Sequence, residues 1–450
     1  MRKAGVLLHP TSLPSGVLDK HAERFLDWME QCGLSVWQML PLAPPHADRS
    51  PYQAYSSHGI DPALLPADIS FTPADSSAFE EFKHNHAKWL DSYSIFVALR
   101  SHFENRPWNE WPDEFKYRDQ EALEQFAAEH HTRIEHLQQV QFLLWRRWEQ
   151  IHSSAKRRGI ELVGDMPIAV AYDSANVWAN QHLFKLDAEL KPTVVAGVPP
   201  DYFCEDGQRW GNPHYKWDVM QQNNFAWWRR RMATALHLFD RVRIDHFRGL
   251  VALWEIPADS EDGRNGEWVE TPGRELLQTL QEDFPSMPFI AEDLGIITPE
   301  VTALRDEFGL PGMAVLQFGF DNNTDNPHSI NNQSPNTVVY TGTHDNDTTL
   351  GWFQSLDSSM QDKVLQEVRT DVGPMPWPLI VAALESQARM AVIPMQDWLG
   401  LDAKSRTNVP GTTEGNWSWR FSWDQVTDNL HHKISALLQS SERANNTSSK

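Results

Sequence analysis

A chain of 450 residues that is 40% hydrophobic buries a large core, which excludes a disordered protein and leaves room for one elaborate α/β barrel or two to three ordinary domains. Its 61 acidic and 39 basic residues give a formal charge of −22, which excludes the basic footprint that nucleic acid or an anionic membrane surface would need. Two cysteines, Cys32 and Cys204, provide neither a disulfide framework nor a paired thiol motif for a metal, so a reducing, cytoplasmic setting is expected.

The first apolar run, residues 5–8, is too short for a secretory core or a membrane span. Seven further runs follow, at 34–40, 160–165, 240–245, 288–292, 313–318, 337–342 and 390–394. Most are continuously apolar, as strands of a parallel sheet buried on both faces should be. Between the first two, Ala22, Phe25, Leu26 and Met29 share one helical face and Gly33 stands where a C-terminal cap belongs. After the fifth, Thr298 and Pro299 can open a helix striped by Val301, Leu304 and Phe308 and closed by Gly309. Eight such units predict a (β/α)₈ barrel, an α/β fold occupying residues 1–439. Insertions at about 66–133 and about 178–217, largely helical in pattern, would roof the C-terminal ends of the strands, where barrels keep their active sites. Residues 440–450 read as a polar, disordered tail, and nothing after the eighth unit is long enough for a β-sandwich.

Three strand ends terminate in carboxylates: Arg243-Ile244-Asp245-His246, Ile290-Ala291-Glu292-Asp293 and Thr343-His344-Asp345-Asn346. Arg243 and Asp245 are two apart and share a face, so the guanidinium should keep Asp245 ionised, as a nucleophile must be. Glycoside cleavage needs such a nucleophile together with a protonated acid, and Glu292, with its longer reach, suits the acid/base role. Asp345, with His344 beside it, could grip ring hydroxyls more tightly as the sugar flattens towards an oxocarbenium-like state. Twenty tryptophans against eight tyrosines offer flat faces for sugar rings, although core filling is the commoner use of any single one. There is no His-Glu-x-x-His and no close His pair at helical spacing, so neither a metal nor an organic cofactor is expected.

Together with Leu8-His9-Pro10-Thr11-Ser12-Leu13-Pro14, Ser50-Pro51-Tyr52-Gln53, Gly164-Asp165-Met166-Pro167, Val198-Pro199-Pro200-Asp201-Tyr202-Phe203, Trp210-Gly211-Asn212-Pro213 and Asn408-Val409-Pro410-Gly411-Thr412, these motifs resemble the 4-α-glucanotransferases of glycoside hydrolase family 77, the amylomaltases or disproportionating enzymes. The resemblance runs through most of the chain. It implies Asp245 as nucleophile, Glu292 as general acid/base and Asp345 as stabiliser. It further implies Tyr52 stacked on the donor sugar, Asp165, Arg243 and His344 on its hydroxyls, and a flap carrying Tyr202 and Phe203. Gln208 and Trp210 would follow on the acceptor side, and Asn408 lies in a matching segment. The implied partners are maltooligosaccharides and longer α-1,4-glucans. An α-amylase-type hydrolase and an inactive glucan-binding protein are the rival readings. The chain departs from the family pattern at Asp61, where Asn is usual, at Asn176, where Asp is usual, and around residues 260–266. These departures are expected near the rims of the donor and acceptor sites.

Overall fold

Each of the eight apolar runs becomes a strand of one parallel sheet in the computed structural model, which describes residues 2–200, 205–412 and 414–445. In chain order the described strands are β1 (Lys3–Leu7), β2 (Val36–Gln38), β3 (Glu161–Met166), β4 (Val194–Val198), β5 (Gln208–Pro213), β6 (Arg241–Ile244), β7 (Ala252–Pro257), β8 (Glu267–Glu270), β9 (Phe289–Ala291), β10 (Gly312–Val315), β11 (Thr337–Tyr340) and β12 (Met390–Pro394). The large sheet runs β10-β11-β12-β1-β2-β3-β6-β9, every neighbouring pair parallel.

The ring closes between β9 and β10 without a ladder. The Ala291 N–H donates to the Pro311 carbonyl at 2.9 Å, and the Asp293 carboxylate accepts from the Met313 N–H at 2.7 Å. A Cβ on Gly312 would sit 2.5 Å from that carboxylate, so glycine is what lets Asp293 approach. Inside the ring Val36, Val163, Ile290, Val315, Val338 and Val392 pack together. The opposite faces of the strands pack against the helices, as the period-two alternation of a strand requires.

The helix Lys20–Cys32 buries Ala22, Phe25, Leu26 and Met29, and Gly33 ends it at φ 82°. The helix Pro299–Glu307 also forms and Gly309 takes φ 63°, but the Thr298 hydroxyl does not cap it. That hydroxyl bonds the Glu300 carboxylate instead. The first insertion is helical, with Ser76–His102 packed on His131–Arg157.

The second insertion adds a feature the sequence did not announce, a four-stranded antiparallel sheet ordered β5-β4-β7-β8. It is built from two segments that lie on either side of β6. Ten of the twenty tryptophans are buried, so core filling does account for much of the aromatic excess.

Residues 441–445, read from sequence as the start of a loose tail, instead seal the N-terminal end of the barrel. Arg443 is 1% exposed and donates to the carbonyls of Lys3, Leu384, Ser386 and Ala388. A small polar stretch gives no apolar signal, so this anchor, which works through hydrogen bonds, could not be seen in composition. Among the described residues no helix is long and apolar enough to cross a membrane.

Candidate active site

Parallel register pairs Asp165 of β3 with Arg243 of β6, which brings a cation and an anion together in the barrel mouth. Arg243 Nη1 donates to both Asp165 oxygens at 2.8 and 2.7 Å and to Asp245 Oδ1 at 2.9 Å. The Tyr52 hydroxyl donates to Asp165 Oδ2 at 2.7 Å. Burial opposes the charge on Arg243, but Asp165 and then Asp245 outweigh it and hold the guanidinium well above its ordinary range. Arg243 is thus a fixed cation 6% exposed, while Asp245 beside it is 28% exposed and open to a ligand.

On the neighbouring strand β9, Ala291 pairs with Ile244, so Glu292 and Asp245 each follow a paired residue and emerge side by side. Glu292 Oε2 accepts from the His246 N–H at 2.6 Å and Oε1 from the Leu294 N–H at 3.1 Å. His246 reaches this position in the left-handed region, φ 53°. Burial raises the Glu292 carboxyl to about 7; the Arg243 charge opposes the rise and the Asp245 charge adds to it. Such a carboxyl is partly protonated near neutrality, the state a general acid needs. Its neighbour Asp293 is structural, paired with Arg305 at 2.6 Å and closing the barrel as described.

Beyond β11 the chain places His344 and Asp345 opposite, with His344 Nε2 3.3 Å from Asp345 Oδ2. The Asn408 amide donates to Asp345 Oδ1 at 2.6 Å. Arg406 donates to the Asp345 carbonyl at 2.8 Å and to the Asn408 carbonyl at 3.2 Å. Burial pushes the Asp345 carboxyl up, but the His344 charge and hydrogen bond, with Asn408, hold it well below the usual range. Burial pushes His344 down, and Asp345 more than reverses that. The Tyr52 ring stacks on His344 with centroids 5.2 Å apart, and the Trp417 ring lies 6.1 Å from Tyr52.

These groups face one open cleft of about 1610 Å³. Tyr52, Arg243, Asp245, Glu292, His344 and Asp345 line it, and β5 contributes Gln208 and Trp210. Asp165 and Asn408 do not line it and act through Arg243, Tyr52 and Asp345. Tyr202 and Phe203 lie outside the described residues, although Pro199 and Gln208 to either side of them line the cleft.

Sequence reasoning missed Arg248 and Trp268, a stacked pair with the guanidinium 3.6 Å from the ring centre on the cleft wall. Arg248 stands three residues after Asp245, just beyond the motif at the end of β6, but Trp268 comes from the unannounced sheet. The departures at Asp61 and Asn176 were expected at the rims, yet neither residue lines the cleft. Asp61 caps a short turn by accepting from the Ala63 N–H, and Asn176 is buried and accepts from the Ser57 hydroxyl at 3.0 Å. The third departure packs on the base of the β4–β5 hairpin, where the Gly263 N–H donates to the Asp206 carbonyl.

A family model described as 4-alpha-glucanotransferase matches residues 8–74 and 66–427. The chain is 42% identical to a 4-alpha-glucanotransferase of Thermus thermophilus, over 98% of this chain and 99% of that one. It is 40% identical to one of Synechocystis, over 97% of each. Among solved structures, an amylomaltase from Streptococcus agalactiae in complex with acarbose superposes with a TM-score of 0.95 at 31% identity, covering 99% of this chain and 100% of that one.

Proposed function

The chain belongs to the 4-alpha-glucanotransferase family and is an enzyme of that type, and from that premise we propose which of its residues carry the transfer and how. Asp245 attacks the anomeric carbon of a bound α-1,4-glucan while Glu292 gives its proton to the departing glycosidic oxygen. The product is a β-glycosyl-enzyme and a free reducing-end saccharide. A 4-hydroxyl of an acceptor glucan or glucose then attacks the same carbon, Glu292 takes its proton, and Asp245 leaves. Two inversions give net retention.

The observation that carries this reading is the unequal pair at adjacent register positions: Glu292, raised to about 7, next to Asp245, ion-paired with Arg243. Strands β6 and β9 are direct neighbours, about 4.8 Å apart in such a sheet, and this adjacency favours the close carboxyl pair of retaining enzymes, ~5–5.5 Å apart, over the ~6.5–9.5 Å pair that admits a water. Asp345, with His344, holds the donor hydroxyls, and Tyr52 supplies a stacking face. Gln208 and Trp210 serve the acceptor side. Asn408 positions Asp345, and Asp165 positions Arg243. The substrates are maltooligosaccharides and longer α-1,4-glucans, and the chemistry is carried entirely by side chains. We read the chain as one catalytic unit acting in the cytoplasm, where Cys32, buried and with its thiol pushed up to about 12, stays reduced.

Incubation with maltotriose tests the proposal. Free glucose with a ladder of longer glucans is the expected outcome. Short products without a ladder would assign a hydrolase, and unchanged maltotriose would remove the substrate class.

A further inference from the structure

On the far side of the helix Ala226–Leu238 from the barrel, a second cavity opens between that helix and Ser76–His102. In a chain of net charge −22 its wall is unusual. Lys88, Arg230, His58 and His86 contribute to it, and no carboxylate does among the described residues. Neither Lys88 nor Arg230 has an ion-pair or hydrogen-bond partner among the described residues, although other exposed arginines of this protein, such as Arg229 and Arg369, pair with carboxylates.

Both imidazoles use Nδ1 within the protein, His58 with the Thr234 hydroxyl at 2.8 Å and His86 with the Trp89 indole N–H at 3.2 Å. Because His86 Nδ1 accepts, the proton of its neutral ring sits on Nε2. Each Nε2 is left without a protein partner among the described residues. Burial, followed by the charges of Arg231 and Arg230, pushes His58 down to about 3, so its ring is neutral near pH 7. Asn176 also lines the cavity, adding a neutral amide to its wall.

We propose that this cavity is a second ligand site, distinct from the catalytic cleft, for a small phosphate-bearing molecule held by Lys88, Arg230 and the free imidazole nitrogens of His58 and His86. Ammonium and guanidinium groups without partners, together with the Nε2–H of His86, match the three acceptor oxygens of a phosphate group. The cavity's free space is about 190 Å³ on the measure in which a single water needs ~10–15 Å³, more than inorganic phosphate fills. Trp89 in the wall is already stacked on His58 and Trp145, but Asn85, Ser92 and Asn180 supply hydrogen-bonding groups for sugar hydroxyls, so a phosphorylated monosaccharide fits better than the free ion.

The test is calorimetric titration of the full chain at low salt with glucose 6-phosphate and, separately, inorganic phosphate. Saturable binding is expected, tighter for the sugar phosphate. The double variant Lys88→Ala/Arg230→Ala should weaken it by about tenfold or more while its maltotriose disproportionation rate stays unchanged. Equal affinity for the two ligands would still assign the site and leave the phosphate group as the whole of what it recognises. Asn176→Asp should weaken binding severalfold by placing a carboxylate in the wall. Absence of saturable binding, or an unchanged Kd in both variants, would overturn the proposal.

Discussion

The two walls of the catalytic cleft hold acidic residues of opposite proton affinity. On the β6–β9 wall, Glu292 is fixed by backbone N–H groups in a buried niche beside a second carboxyl, and its proton is retained up to about 7. On the wall beyond β11, Asp345 is fixed by side chains from the distant segment at 406–408 and by His344, and its proton is lost well below the ordinary range. Asp345 is also 49% exposed, whereas Glu292 is buried. With the roles proposed above, the difference is how one fold would prepare an acid and a charge stabiliser from the same functional group. Strand register places a carboxyl in a low-dielectric niche to keep a proton, and a reach across the chain supplies the donors that remove one.

Glu292→Gln breaks the first wall and should cost most. Loss of a general acid typically removes about 10²–10⁴ in rate, so kcat on maltotriose should fall about 10³-fold with glucan binding retained. A donor such as maltosyl fluoride, whose leaving group needs no proton, should restore glycosyl-enzyme formation in Glu292→Gln but not in Asp245→Asn. Equal rescue of both variants would overturn the division of roles.

On the opposite wall, Asn408→Ala removes one hydrogen bond to a charged group, worth about 1.5–3 kcal/mol or roughly 10- to 100-fold in kcat. The donor holds Asp345 low, so its loss should also move the acidic limb of the pH–rate profile to higher pH. A purely structural role would lower the rate without moving that limb.

The pH profile then separates the walls in the intact enzyme. The raised Glu292 carboxyl predicts that kcat/KM falls above about pH 7, tenfold per unit once the acid is ionised, and this limb should vanish in Glu292→Gln. The stability linkages run in opposite directions. Because Glu292 is raised from an ordinary value of 4.5 to about 7, its contribution is present below 4.5 and lost as pH rises through about 7. Because Asp345 is lowered from 3.8, its contribution is present above 3.8 and lost as pH falls below it. Melting temperatures of Glu292→Gln and Asp345→Asn across pH check both signs.

Much of this arrangement was legible in the sequence because a parallel barrel buries its strands on both faces and writes them as apolar runs that end in charge. All eight runs became barrel strands, and the carboxylates at three of their ends face one cleft. What could not be read depends on contacts between distant segments. Asn408 meets Asp345 across 63 positions, Asp293 spends its charge on closing the barrel, and Arg443 fastens the opposite end through backbone carbonyls. The antiparallel sheet escaped because its strands come from two segments separated by β6, and its edge strand β8 is mostly exposed, so it carries no apolar alternation.

That sheet supplies the smallest expected effect and the sharpest check on the acceptor side. Trp268 is 37% exposed on the cleft wall, and its ring packs on Arg248, whose guanidinium is tied to the Ile296 carbonyl at 2.7 Å. A ring held in this way, on the added sheet and not on a barrel strand end, is expected to stack on a sugar beyond the reacting one. Trp268→Ala should therefore raise KM for long acceptors about 2- to 5-fold, the equivalent of roughly 0.5–1 kcal/mol of stacking, and leave kcat and the KM for glucose as acceptor unchanged. Trp268→Phe should recover most of the loss, because the face is kept. If kcat falls instead, the ring acts on the reacting centre by shaping the wall, and the separation between the binding sheet and the catalytic barrel is abandoned.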